Sequence, residues 1–333
     1  MPILKKKFKN ILIIRTDRIG DFLLNIPLIL NLKKIFPDSK ITALISKHIE
    51  QLQKNLLFID EFILYDEKYS SIFGKLKLIN LLASKKFDLV IISNPNKIFN
   101  WIACLSGIPV RIGYHRKSGF LLTHKIKDNK HQNLKHEIEY NLDLLKPINL
   151  QPQIIDPFLL IHKEDRYKID ILLKSRGINN QKPLIIIQSQ SSNPSKCWAK
   201  NNFAITCDNL ISDLDAQIIF IGSLEEKEDI NEILSLMKNK AINLAGLLKL
   251  NELAALLKKA DLLISNDSGP MHIATFVQTP VIAIFGKYKN AASPIRWGPW
   301  GKDNKIIHDD LELITPKQII ETTRKSLKKY NYA

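Results

Sequence analysis

The chain has 333 residues, 45% of them apolar and 25% charged, with a formal net charge of +16. Such a length admits two hydrophobic cores at roughly 150 residues per domain, and no apolar run approaches the ~18 residues that span a bilayer. Cys104, Cys197 and Cys207 lie far apart with no pair at CxxC spacing, which excludes a disulfide framework or a zinc site and fits a reducing cytoplasm.

The opening Lys5-Lys6-Lys7 is basic, but the apolar run from Ile11 to Ile14 stops at Arg15, Asp17 and Arg18. A secretory signal needs a longer apolar core and a small-residue cleavage site, so none is expected. The run reads instead as a first strand, 11–15, followed by a polar loop and a helix over 23–36. Further strands are predicted at 41–45, 62–64, 89–93 and 110–113. Most are continuous Ile/Leu/Val runs without polar alternation, the pattern of parallel strands buried on both faces. Residues 146–157 hold three prolines and no periodicity, and a helical connector follows over 164–176. The rhythm then restarts, with strands at 184–188, 217–221, 262–265 and 281–285 and helices over 202–212, 225–237 and 250–259. This βαβα alternation predicts an α/β chain of two doubly wound domains. The domains are placed at 1–160 and 161–315. Residues 316–333 form a terminal surface helix, with a Thr315-Pro316 start and a basic end. In such domains ligands bind outside the carboxyl ends of the strands, so the loops there are the ones to read for chemistry.

The first such loop runs from Arg15 to Asp21. Asp21 sits near a helix start, where the dipole keeps a carboxylate ionised, available as a base though weakened by a low pKa. The plain alternative is an ordinary first-turn acid. Arg15 and Arg18 suit anionic groups or simply surface charge. The second loop, Ser195-Lys196-Cys197-Trp198, offers a lysine that can neutralise a departing diphosphate; the alternative is a solvated lysine beside a core tryptophan. The third ends in Glu225, which suits ribose hydroxyls or merely opens a helix. Asp213-Leu214-Asp215 has metal-binding spacing but lies at a helix end, and reads as a turn. The fourth loop, Ser265 to His272, is the clearest. Asp267 or Ser268 can cap the following helix, and Pro270 suits its first turn. Gly269 allows close backbone approach, and the first-turn amides favour an anion. His272, one turn on, suits a phosphate or ribose. A well-capped structural helix is the alternative. Without a nucleophile elbow, the Ser, His and Asp of this loop do not read as a hydrolase triad.

Taken together, these motifs resemble glycosyltransferase family 9, the heptosyltransferases of lipopolysaccharide synthesis. The opening run 11–21 with Leu24 and Pro27 is similar to that family's first motif. Asn266-Asp267-Ser268-Gly269-Pro270-Met271-His272, then Pro280 and Phe285-Gly286, is similar to its most specific one. Lys196 and Trp198 match its K-x-W element, and Glu225 its strand-end glutamate. Arg111-Ile112-Gly113-Tyr114 and His136-Glu137 are also similar. The resemblance implies a GT-B fold, two Rossmann-like domains whose parallel sheets face an interdomain cleft. The first domain would bind the acceptor and the second the donor, with the terminal helix crossing back to the first. It implies inverting, metal-independent transfer of heptose from ADP-heptose to a lipopolysaccharide core or related anionic glycolipid, the nucleotide sugar being a co-substrate and no cofactor being needed. Asp21 would be the base; Lys196, Ser268, Gly269 and His272 would hold the diphosphate; Glu225 and Asp267 would contact ribose or sugar. Arg15, Arg18 and Arg111 are candidates for the acceptor. The chain departs from the family at the loop 188–193, which is Gln/Ser-rich, and at Gln278, where glycine is usual. Both lie near the donor, so another nucleotide sugar is an alternative.

Two other classes are weighed. A nicotinamide-dependent oxidoreductase is disfavoured by the missing GxGxxG. A nucleic-acid-binding protein would use the +16 charge, but no RNP, zinc-finger or helix-turn-helix signature accompanies it. The charge instead suits peripheral contact of a cytoplasmic protein with an anionic inner-membrane surface, or follows from a lysine-rich composition.

Overall fold

The computed structural model describes residues 8–287 and 293–327. Lys5-Lys6-Lys7, and the end of the predicted terminal helix at Lys328 and Lys329, lie outside them. The chain divides into two compact units, Met1–Pro157 and Phe158–Ala333.

In the first unit the strands are β1 (Asn10–Arg15), β2 (Lys40–Ser46), β3 (Glu61–Tyr65), β4 (Leu89–Ile92), β5 (Val110–Tyr114) and β6 (His124–Ile126). The helices are α1 (Ile19–Leu23), α2 (Ile26–Ile35), α3 (Ile72–Ser84), α4 (Lys97–Leu105) and α5 (Glu137–Asp143). The strands pair in the order β3-β2-β1-β4-β5-β6, all parallel. Ile11 to Ile14 and Leu89 to Ile92 are buried on both faces, which is why they carry no polar alternation. One sheet face packs on Leu78, Leu82, Phe99 and Ile102 of α3 and α4. The single helix expected over 23–36 is two. Pro27 has no amide to bond back to Leu23, so the ladder breaks at Leu24 and Asn25.

The second unit repeats the plan. Its strands are β7 (Leu184–Gln188), β8 (Gln217–Phe220), β9 (Ile242–Asn243), β10 (Leu262–Asn266), β11 (Val281–Gly286) and β12 (Lys305–Asp309). Its helices are α6 (Lys163–Ser175), α7 (Lys200–Leu214), α8 (Lys227–Leu236), α9 (Leu250–Lys259), α10 (Gly269–Phe276), α11 (Pro294–Trp297) and α12 (Pro316–Leu327). The order is β12-β11-β10-β7-β8-β9, again parallel. Thr315 and Gln318 start α12 with reciprocal bonds, the Thr315 amide donating to the Gln318 side chain at 2.8 Å. Its Ile319, Ile320 and Leu327 enter this unit's core, and Arg324 pairs with Asp213 of α7.

The strands missing from the sequence reading are β6, β9 and β12, all at sheet edges. They are short or half-exposed, so none carries the apolar run that marks a buried parallel strand. Among the described residues no helix is long and apolar enough to cross a membrane.

In each sheet the chain reverses its winding direction once. In the first, β2 and β4 flank β1; in the second, β8 and β10 flank β7. The loops leaving β1 and β4, and those leaving β7 and β10, therefore open at the two topological switch points, where doubly wound sheets bind ligands.

Candidate active site

At the first switch point Arg15 ends β1 with its guanidinium turned inward, only 4% exposed. A buried cation needs partners, and the loops supply them. Its Nε lies 2.7 Å from Asp17, one terminal nitrogen 2.6 Å from Asp21, and the other 3.4 Å from Glu137. The Ser93 carbonyl, just past β4, accepts from it at 3.3 Å. Burial alone would weaken this cation, but the three carboxylates outweigh it and raise the Arg15 pKa further. Glu137, fully buried at the start of α5, also takes a 2.7 Å bond from Lys130. Lys130 is itself buried, 4.3 Å from the centre of the Tyr114 ring. The tyrosine hydroxyl donates to the Tyr140 carbonyl at 2.6 Å. Asn94 fixes Asp17 from the β4 side at 2.9 Å. Two cations and three carboxylates thus share one partly dry site.

Asp21 is the member of this set on the first turn of α1. The sequence reading expected a helix dipole to hold its pKa low. The outcome is opposite: burial pushes the carboxyl above its usual range, Arg15 opposes the rise, and Asp17 and Glu137 add to it. The reason is that α1 is only five residues long, too short for much dipole, whereas desolvation acts on the whole charge. A raised carboxyl is a stronger base than an ordinary aspartate.

The other two acceptor candidates are placed differently. Arg18 is exposed at the start of α1. Arg111 on β5 gives its guanidinium to the carbonyls of Leu121 and Ile108, at 2.8 and 2.5 Å, and so holds the turn between β5 and β6.

The second switch point is built by the loops after β7 and β10. Asn266, fully buried, ties them: its side chain donates to the Ser189 carbonyl at 2.6 Å and accepts from the Trp198 amide at 3.2 Å. Trp198 is buried, with its indole nitrogen 2.9 Å from the Ile314 carbonyl, which anchors the segment that carries Lys196. Asn193 caps the 3-10 turn Pro194–Lys196. The Lys196 ammonium then meets Asp267 at 2.5 Å. Ser191 donates to the Asp267 carbonyl at 2.9 Å.

Ser268 takes the cap position of α10, but its hydroxyl lies 2.9 Å from that of Ser265 and makes no capping bond. The first turn therefore presents the Gly269 and Met271 amides, which the cap side chain does not cover, at the positive end of a helix. His272 is buried one turn on, its carbonyl accepting from Thr275 at 2.9 Å. Lys196, Asp267, Ser268 and Gly269 are thus gathered at one sheet end. Glu225 is exposed on the turn after β8, one strand over, with a backbone amide and Ser223 holding its carboxyl below the usual range. Its neighbour Glu226 packs inward, accepting from the Ser223 amide at 2.8 Å. The acids of the Asp213-Leu214-Asp215 pattern pair with Arg324 and Lys182.

Sequence reasoning passed over Lys130 and gave Glu137 no role. Lys130 sits among Asp128, Asn129, His131 and Gln132, a setting that reads as solvent-exposed loop. Glu137 carried one local signal: it follows His136, and a capping box made by His136 and Glu139 starts α5 there.

A family model described as glycosyltransferase family 9 (heptosyltransferase) matches residues 75–327, well over half of the chain. Lipopolysaccharide heptosyltransferase 3 of Escherichia coli is 29% identical over 294 residues, spanning 84% of this chain and 82% of that protein. The crystal structure of a family 9 glycosyl transferase from Veillonella parvula superposes with a TM-score of 0.89 at 23% identity, over 98% of this chain and 99% of that one. The structure of E. coli ADP-heptose lps heptosyltransferase II superposes with a TM-score of 0.83 at 21% identity, over 96% and 99%. These likenesses establish the GT-B fold class, two doubly wound units with parallel sheets.

Proposed function

This chain belongs to glycosyltransferase family 9, and from that membership we propose that it moves heptose from ADP-heptose to a lipopolysaccharide core or a related anionic glycolipid by a single inverting displacement. The observation that carries this reading is the Asp21 carboxyl, raised by burial and held 2.6 Å from the Arg15 guanidinium at a switch point. Asp21 takes the proton of an acceptor hydroxyl as that oxygen attacks the anomeric carbon. The bond from that carbon to the diphosphate breaks on the opposite face, which inverts the configuration. Arg15 keeps Asp21 oriented and ionised between turnovers, and Glu137 and Lys130 hold Arg15 in turn.

The departing nucleoside diphosphate gains negative charge, and two features of the second unit suit it. Lys196 supplies a cation, and the first turn of α10 supplies backbone amides aligned with the helix dipole. These groups place charge stabilisation on the protein itself, with no step assigned to a metal. Asp267 and Glu225 are assigned to hydroxyls of the donor, and His272 to its diphosphate. The name of the solved E. coli transferase, ADP-heptose lps heptosyltransferase II, supports the choice of donor.

The test is purified protein with a panel of nucleotide sugars and Kdo-lipid A acceptor, read by mass spectrometry. A heptose added from ADP-heptose, with inverted anomeric configuration by NMR, is the expected product. Transfer from a different nucleotide sugar, or retained configuration, overturns the reading.

A further inference from the structure

We propose that the outer face of α3, α4 and the turn after β5 is a docking surface for an anionic phospholipid bilayer. This inference goes beyond the sugar-transfer reading and does not depend on it.

The face begins with a sequence pattern that the buried core does not explain. On α3, Gly74, Leu78 and Leu82 point inward at a spacing of four. Ile72, Phe73 and Leu76 stand on the opposite side, and Phe73 is 78% exposed. On α4, Phe99, Ile102 and Ala103 face the sheet, while Ile98, Trp101 and Leu105 form an outward stripe. Phe120, on the turn after β5 and 65% exposed, meets Trp101 edge to face at 6.2 Å between ring centres. Both helices cover the same sheet face and pack on one another, so their outward stripes lie side by side. Burial of large apolar side chains is the main return of folding. A contiguous set left in water is the mark of a surface that meets something apolar.

The charge around this face identifies what it meets. From Lys68 to Lys127 the chain carries eleven lysines and arginines and a single acid, Asp88; of these cations Lys68, Lys85 and Arg116 pair with Asp66, Glu61 and Asp128 outside the segment. Asp88 is turned to the amino-terminal end of the central strands, where it accepts from the amides of Lys9 and Asn10 at 2.8 and 2.9 Å. Lys77 and Lys97 are exposed on the same two helices, and Lys117 on the turn that leads to Phe120. An apolar face with aromatic side chains and a basic rim is the chemistry of interfacial binding. Apolar groups enter the headgroup boundary while lysines meet anionic lipids. A second copy of this chain is disfavoured because a twofold contact would set this basic segment against itself. A nucleic acid would use the charge but gain nothing from Ile72, Leu76 and Leu105.

The experiment is co-sedimentation of the full chain with vesicles of phosphatidylcholine alone, and of phosphatidylcholine with added phosphatidylglycerol. Binding to the anionic vesicles is expected to be at least about tenfold tighter, and weakened by salt. Phe73→Asp with Trp101→Asp should lose at least about tenfold of it, while Leu236→Asp, an exposed apolar site on α8, leaves it unchanged. Thermal unfolding checks that the double variant is folded. If it is not, Lys77→Glu with Lys97→Glu provides the same test through the rim. Tryptophan emission should shift to the blue on anionic vesicles, and the shift should be lost in Trp101→Phe. Equal binding to both vesicle types overturns the proposal, as does binding that both double variants retain. So does a wild-type dimer that the Phe73/Trp101 variant dissociates without any vesicle binding, or single-stranded DNA that outcompetes the vesicles.

Discussion

Replacing Asp21 by asparagine separates what this carboxyl does for the reaction from what it costs the fold. Arg15 lies 2.6 Å from one of its oxygens, and an asparagine oxygen of the same shape still accepts that bond. The substitution removes one negative charge from a site of two cations and three carboxylates. A positioned general base contributes about 10²–10⁴-fold, or about 3–5 kcal/mol of barrier, so kcat falls by that factor while donor affinity is kept. Stability moves the other way. The folded chain raises this carboxyl above its ordinary value of 3.8, so it binds the proton more tightly than the unfolded chain. The stability gained from that proton is complete below the unfolded-chain value and is lost as pH rises through the folded one. Above the folded value the wild type has lost it, whereas asparagine cannot ionise and has not. Each tenfold in proton affinity is worth about 1.4 kcal/mol. The variant should therefore melt at the same temperature or slightly higher, with the gap opening as pH rises from the ordinary carboxylate range. Steady-state transfer and thermal unfolding across that range measure both arms. Turnover near wild type would refute the base assignment. A lower melting temperature at every pH would show that the carboxylate holds the fold rather than taxing it.

Arg15→Met leaves Asp17, Asp21 and Glu137 with only Lys130 among these partners. It should cost about 3–5 kcal/mol near neutral pH, and less in acid, where the carboxyls take up protons; urea unfolding at two pH values checks both. Lys196→Ala removes the cation 2.5 Å from Asp267. It should lower kcat by about 10²–10³-fold and weaken donor binding, which an unchanged calorimetric titration would contradict. Gly74→Ala would set a methyl 1.9 Å from the Lys68 carbonyl, a backbone atom with nowhere to go. It should destabilise by about 3 kcal/mol, read from a denaturant midpoint. Gln278 follows α10 in the left-handed region, at φ +65°. Gln278→Gly should stabilise by about 1 kcal/mol, and an unchanged or lowered midpoint would show that its 3.4 Å contact with Lys258 matters more than the backbone.

Much of this molecule can be read along the chain. Nine of the strands announce themselves as apolar runs, because a parallel strand covered on both faces must be apolar throughout. The loops that follow them are equally legible, since Pro270, Gly269 and Ser268 report a helix start by local geometry alone. Lys196, Asp267 and Asp21 could be chosen because each lies just past such a strand. Where the chain deviates from its local rule the sequence also carried a hint: Gln278 takes a backbone conformation that suits glycine.

The rest depends on contacts between residues far apart in sequence. The edge strands β6, β9 and β12 owe their conformation to a neighbour's unpaired backbone rather than to an apolar pattern of their own. Glu137 reaches Arg15 across 122 positions, and nothing around Lys130 distinguishes it from a solvated lysine until Glu137 and Tyr114 enclose it. The same enclosure decides the proton affinity of Asp21, because desolvation depends on what surrounds a carboxyl in space. Phe73 and Trp101 show the converse. They are large apolar side chains, and only the packing of α3 and α4 on the sheet leaves them facing outward.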